Sequence, residues 1–225
     1  NYIGSKHKLS SFIKNTISET VNSNLSELVF CDLFAGTGIV GRTFKPLVKK
    51  IISNDVEYYS YVLNRNYIGN YKSYNYSNFI ETLNDLKGVA GFVFENYSEN
   101  GDEGRLYFSN NNGKKIDAIR IEIENWKLQE KIDKNLYFFL LASLIESADK
   151  VANTASVYGA YLKKIKPSAK KEFVLTPATF IETKNKHQVF NEDANELIKK
   201  ISGDILYLDP PYNARQYGSN YHLLN

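Results

Sequence analysis

A chain of 225 residues fits one large domain or one domain carrying an insertion. Its 43% hydrophobic and 24% charged residues can bury a core, which excludes a disordered chain and a coiled coil. Lys and Arg total 28 against 25 Asp and Glu, so the net charge of +3 identifies no partner, and any nucleic-acid surface has to be local.

Residues 1–55 read as one α/β unit. Phe12, Ile13, Ile17 and Val21 stand at helical spacing across 10–21. A short apolar run over 28–31, ending in Asp32, has the pattern of a buried parallel strand. Gly36 and Gly38 make a turn, 39–48 reads as a helix, and Ile51 and Ile52 make a second strand that ends at Asn54 and Asp55. Strand, glycine turn, helix, strand and acid form the first half of a doubly wound nucleotide-binding sheet. Residues 58–186 are predicted to be mostly helical, most clearly at 116–129 and 136–151, with breaks at 99–104 and 110–113. Lys163, Lys164, Lys166, Lys170, Lys171, Lys184 and Lys186 face only Glu172 and Glu182 across 151–190, and the plain reading is a solvated surface. The α/β pattern then returns with a strand at 189–190, a helix at 194–201 and a strand at 205–208.

Asp209-Pro210-Pro211-Tyr212 follows that last strand directly. A rigid turn would explain the proline pair, but the carboxyl end of a parallel strand is also where open sheets bind ligands. Asp209 supplies one acceptor and the Pro210 carbonyl another, which suits the two N–H bonds of an amino group. Tyr212 adds a flat ring. Together they suit an aromatic amine, such as an adenine or cytosine extruded from a duplex. The second motif is Asp32-Leu33-Phe34-Ala35-Gly36-Thr37-Gly38, whose glycines let backbone approach a ligand closely. Residues 36–41 fit the letters of a dinucleotide fingerprint, yet Asp32 would repel a pyrophosphate and better suits an ammonium or sulfonium group. Asp55, about twenty residues on, stands where ribose hydroxyls are bound.

Other residues carry weaker signals. His7, His187 and His222 lack metal-ligand spacing, and no metal is expected. His222 is a candidate DNA contact. Arg215 and Gln216 could bind phosphate, fill the space left by a flipped base, or be ordinary loop residues. The one cysteine, Cys31, excludes a disulfide framework and a Cys-rich zinc site. Without a signal peptide or an apolar run of about 18 residues, a soluble cytoplasmic protein is expected. Methionine is absent, position 1 included. Either the start has been processed in a chain of unusual composition, or these residues are not all of the natural chain.

Tyr2-Ile3-Gly4-Ser5-Lys6, the Asp32–Gly38 motif, Asn54-Asp55, Asn191-Glu192-Asp193-Ala194 and Asp209-Pro210-Pro211-Tyr212 occur in that order. In this the chain resembles the Dam-like, alpha-group N6-adenine DNA methyltransferases. Asn213-Ala214-Arg215-Gln216-Tyr217 with Asn220-Tyr221-His222-Leu223-Leu224 resembles the subset associated with restriction–modification systems. The resemblance covers 1–68 and 186–225 by specific motifs. It covers 69–185 mainly by position, where that family carries its target-recognition domain.

The resemblance implies a doubly wound, Rossmann-like sheet dependent on S-adenosylmethionine, with a mainly helical insertion. It puts Tyr2 and Lys6 by the cofactor and target pocket, with Lys6 near the methionine carboxylate or the base. Asp32 and the backbone of Phe34, Ala35, Gly36, Thr37 and Gly38 would hold the methionine end of the cofactor. Asp55 would bind its ribose, and Asp193 with the Ala194 N–H would read its adenine edge. Asp209, Pro210, Pro211 and Tyr212 would hold the flipped adenine. Lys163, Lys164, Lys166, Arg215 and Gln216 are the DNA-binding candidates. Double-stranded DNA is the implied partner, with a cognate restriction enzyme in the same system.

Amino methylation of cytosine N4 or of an RNA base, and a DNA-binding fragment without catalysis, stand as alternatives. Methylation at cytosine C5 needs a nucleophilic thiol, and Cys31 lies in a predicted buried strand. The family's sheet ends in an antiparallel edge hairpin, whereas strands can be counted here only up to the one before Asp209. The C-terminal edge strands are therefore expected to be missing, as in a truncated chain, an incomplete sequence or one half of a two-chain enzyme.

Overall fold

The computed structural model describes residues 6–21, 23–155, 158–211 and 222–224. A 3-10 turn at Lys6–Leu9 leads into α1 (Ser10–Thr20), β1 (Val29–Asp32), α2 (Ile39–Phe44), β2 (Lys50–Asn54) and α3 (Tyr58–Asn64). There follow α4 (Ser77–Asp85), α5 (Phe92–Tyr97), α6 (Asn110–Leu128) and α7 (Lys134–Val151), then β3 (Gln188–Phe190), α8 (Ala194–Leu197) and β4 (Ile205–Tyr207). They form two compact units. One holds the described residues of Tyr2–Ser73 and Thr179–Gly218, the other those of Tyr74–Ala178 and Ser219–Leu224.

In the first unit all strand pairs are parallel, in the order β3-β2-β1-β4. This is the doubly wound, Rossmann-like arrangement expected from the sequence. Burial along β1 and β2 shows both faces of the sheet covered there, which is why β1 reads as a continuous apolar run rather than an alternating one. Phe30 of β1 stacks on Phe44 of α2 at 4.5 Å, and Val40, Val48, Ile51 and Ile68 complete that core. Among the described residues β4 is an edge strand of the sheet, and its Leu206 is half exposed.

Two helices are shorter than the sequence suggests. Pro46 has no N–H to donate, so α2 stops at Phe44 instead of running to 48. The chain after α8 has to unwind to reach β1. There Asp204 accepts from the Val29 N–H at 2.7 Å and donates its own N–H to the Val29 carbonyl at 3.0 Å. Gly203 passes so close that a Cβ would collide with the Cys31 thiol.

His187 is structural. Its Nδ1 accepts from the Ile51 N–H at 3.0 Å, and burial, with Lys45 adding, brings its pKa down to about 4, so the ring is neutral. Thr183 donates to the Tyr71 carbonyl at 3.1 Å and Asn185 to that of Val48 at 3.3 Å. These bonds bring 69–73 and 179–185 into the sheet unit, beyond the limits read at 68 and 186.

In the helical unit α6 begins at Asn110, inside the break predicted at 110–113. Ser109 caps it by accepting from the Asn112 N–H at 3.4 Å. Gly113 is a point of contact within the helix, because a Cβ there would collide with Ser98 Oγ. Asp117 of α6 in turn caps α5, accepting from the Val93 and Phe94 N–H groups at 2.9 and 2.8 Å.

The described residues of 152–178 are not helical apart from a 3-10 turn at Pro167–Lys170, in contrast to the mostly helical expectation. Here an extended strap is pinned by side chains standing where a sheet neighbour would. Asn112 accepts from the Phe173 N–H at 2.9 Å and donates to the Lys171 carbonyl at 2.9 Å. Asn84 brackets Leu175 in the same way, at 2.8 and 3.0 Å. Ser147 and Ser143 accept from the N–H groups of Thr176 and Ala178, each at 3.0 Å. Those bonds satisfy the backbone where Phe173 and Leu175 are buried. No helix among the described residues is long and apolar enough to cross a membrane.

Candidate active site

Because β2, β1 and β4 are adjacent and parallel, the residues at their carboxyl ends lie side by side. Asp32 ends β1, Asp55 follows β2, and Asp209 follows β4. Between the first two runs the glycine turn. Gly38 sits at φ +75°, where a Cβ would also come within 2.5 Å of Asn64 Oδ1, so a side chain is excluded twice over. Gly36, at φ +53°, would place a Cβ with nothing within 4 Å, so its outer face is open.

Polar side chains from neighbouring strands and helices hold that turn. Asp55 Oδ2 accepts from the Gly36 N–H at 2.7 Å, and its Oδ1 from that of Glu57 at 2.9 Å. The acid expected at a ribose therefore also splints the glycine turn, and each of its oxygens keeps a second lone pair. Asn64 donates to the Gly36 carbonyl at 2.9 Å and accepts from Ser53 Oγ at 2.8 Å. Asn54 donates to the carbonyls of Leu33 and Glu192 at 3.2 and 3.0 Å and accepts from the Glu192 N–H at 3.0 Å. Asn64 was not expected, since nothing in its helical stretch marks it. Asn54 was visible only as the neighbour of Asp55.

Asp32 is 1% exposed, and among the described residues neither of its oxygens has a partner in hydrogen-bond geometry. Burial pushes its pKa up to about 8, with Asp55 and Asp209 adding to the effect and the nearby Phe34 N–H offsetting part of it. At pH 7 it is mostly protonated. Burial also raises Asp55, against the pull of the Glu57 and Gly36 N–H groups. Lys6 lies with its Nζ 2.7 Å from Asp209 Oδ2. A buried carboxyl without a partner, beside an open glycine face, fits a ligand that brings its own positive charge.

The other expected residues divide. Phe34 and Thr37 are half-buried and Ala35 is buried in the turn, while Pro210 and Pro211 are exposed. Asp193 accepts from the Asn195 N–H at 2.7 Å and so caps α8, which Ala194 begins. Tyr2, Tyr212, Arg215 and Gln216 lie outside the described residues. In the helical unit Lys163, Lys164, Lys170 and Lys171 are exposed. Lys166 is built into the fold, its Nζ donating to the Thr154 carbonyl at 2.7 Å. The ring of His222 stands 5.6 Å from that of Tyr97 and 6.0 Å from that of Tyr107 in the same unit.

The D12 class N6 adenine-specific DNA methyltransferase family matches residues 2–225. The chain is 60% identical over 226 residues to the type II methyltransferase M.NlaIII of Neisseria lactamica, a match that covers 100% of this chain and 68% of that protein. It is 46% identical over 230 residues to the type II methyltransferase M.CviAII of Paramecium bursaria Chlorella virus 1, covering 100% and 67%. With the modification methylase StsI of Streptococcus sanguinis it shares 39% over 234 residues, covering 99% and 35%. No solved structure matches it. A parallel sheet with acids gathered at its carboxyl ends and a match along nearly the whole sequence agree: the chain belongs to the D12 class of N6 adenine-specific DNA methyltransferases.

Proposed function

We propose that this chain transfers the methyl group of S-adenosylmethionine to the N6 amino group of an adenine turned out of double-stranded DNA. It would do so in the cytoplasm, beside a restriction enzyme of the same system. The observation that carries the reading is Asp32, a buried carboxyl with no hydrogen-bond partner among the described residues, between an open glycine turn and the acid that follows β4.

S-adenosylmethionine, when bound, supplies a methyl group on a positively charged sulfur. Asp32 would face the cationic methionine end, with the backbone of 34–38 around it. Asp55 would take the ribose hydroxyls on its remaining lone pairs, and Asp193 with the Ala194 N–H would read the adenine edge. The target amine is a poor nucleophile because its lone pair is spread into the ring. Asp209 would accept one of its N–H bonds and the Pro210 carbonyl the other, drawing the nitrogen toward a tetrahedral shape with its lone pair aimed for in-line displacement. Tyr212 would stack on the base. No covalent intermediate is required. Cys31 is 3% exposed with its thiol pKa raised first by burial, so it is no nucleophile.

Labelled methyl transfer to genomic DNA, followed by nucleoside analysis, tests the reading. Label in N6-methyladenine supports it, and label in N4-methylcytosine, in RNA or nowhere overturns it.

The helical unit, on this reading, recognises the target. Lys163 and Lys164 would rest on phosphates and position the duplex, with sequence read elsewhere in 70–185. Replacing both by alanine is expected to weaken DNA binding on every sequence and to lower the salt slope by about two, leaving site preference intact. A double variant with the parent's slope makes these lysines an ordinary solvated face.

A further inference from the structure

We infer that Lys6 is a positioning residue for Asp209, holding carboxylate oxygen Oδ2 so that Oδ1 is aimed at the target amine. The inference rests on the transfer reaction proposed above.

The contact is short, 2.7 Å, and shielded, with the two side chains 18% and 29% exposed. It joins the 3-10 turn before α1 to the segment after β4, so it arises from the fold and not from neighbouring sequence. Its surroundings are acidic. Asp32 at the end of β1 feels Asp209 directly, Asp55 beyond β2 acts on Asp32, and the Tyr207 phenol of β4 feels Asp209 and Asp32 against Lys6. The N–H bonds of the target amine need an acceptor, and because the ammonium meets one oxygen, Oδ2, the other is left to the substrate.

The test compares the full-length parent with Lys6→Met and Lys6→Arg. The rate constant kcat and KM for DNA are followed across about pH 5.5 to 9, with S-adenosylmethionine affinity measured by calorimetry. Lys6→Met is expected to lose about tenfold in kcat at neutral pH and to move the acid limb of kcat up by about one pH unit. Its cofactor affinity should stay within about threefold, and Lys6→Arg should return the limb toward the parent's position. If Lys6→Met fails to fold, Lys6→Gln carries the same comparison. A charge-free variant with the parent's acid limb overturns the inference, whatever its rate. So does a loss confined to cofactor affinity, which would put Lys6 on the cofactor. A parent that transfers no methyl group to DNA overturns the reaction itself and the lysine's role with it. An active parent with an unmoved limb in the variant overturns the lysine alone.

Discussion

Asp32→Asn is expected to raise the melting temperature of the ligand-free protein while weakening its affinity for S-adenosylmethionine. The acid is buried without a hydrogen-bond partner among the described residues and titrates at about 8, against 3.8 in its ordinary state. For an acid raised in this way, the folded state is favoured most below about pH 4, and that advantage is lost as the pH rises through about 8. At pH 7 the deficit is on the order of 4 kcal/mol, reduced in the variant by the amide it buries instead. The expected gain is roughly 3–6 °C at pH 8 and much less at pH 5. A cationic ligand reverses the balance by favouring the ionised form. Cofactor affinity in the parent should therefore rise with pH up to about 8, with a proton released on binding. Calorimetry in buffers of different ionisation enthalpy measures that proton. The asparagine variant should bind about a hundredfold more weakly. An unchanged affinity, or a melting temperature lowered alike at both pH values, would show that the buried carboxyl serves the fold and not the cofactor.

Asp209→Ala is expected to cost about a thousandfold in single-turnover methyl transfer, the scale on which aimed acceptors and donors act in a transition state. Cofactor affinity should change by less than about threefold. The split follows from position: Asp209 lies beyond β4 and would meet the target amine, whereas Asp32 and Asp55 flank the glycine turn. A variant keeping more than about a tenth of the rate, a loss below roughly 1.4 kcal/mol, would remove Asp209 from the reaction.

The strand at 28–31 was legible because burial on both faces leaves a continuous apolar run, and 205–208 reads the same way although Leu206 and Leu208 are half exposed. The three acids were legible for a related reason, since each stands just where such a run ends. What escaped the sequence is whatever depends on a partner far along the chain. Lys6 and Asp209 lie near opposite ends, and nothing in either neighbourhood announces the other. Over 172–175 the strap alternates exposed and buried side chains as a strand does, but its partners are Asn112, Asn84, Ser147 and Ser143, all on helices. Asn110 and Gly113 looked like a break because they are poor helix formers. The Ser109 cap and the close passage of Ser98 outweigh that preference.

Asn54 joins the loop after β1 to the loop after β3 through three hydrogen bonds of one buried amide. On the proposed reading the Asp32 carboxyl and the Asp193 turn would act as the two jaws of a single caliper. On the proposed reading these jaws close on opposite ends of the cofactor, so the gap between them measures molecular length. A ligand carrying the right charge but too short to span it would leave one jaw empty, and the protein would discriminate by size without a dedicated wall.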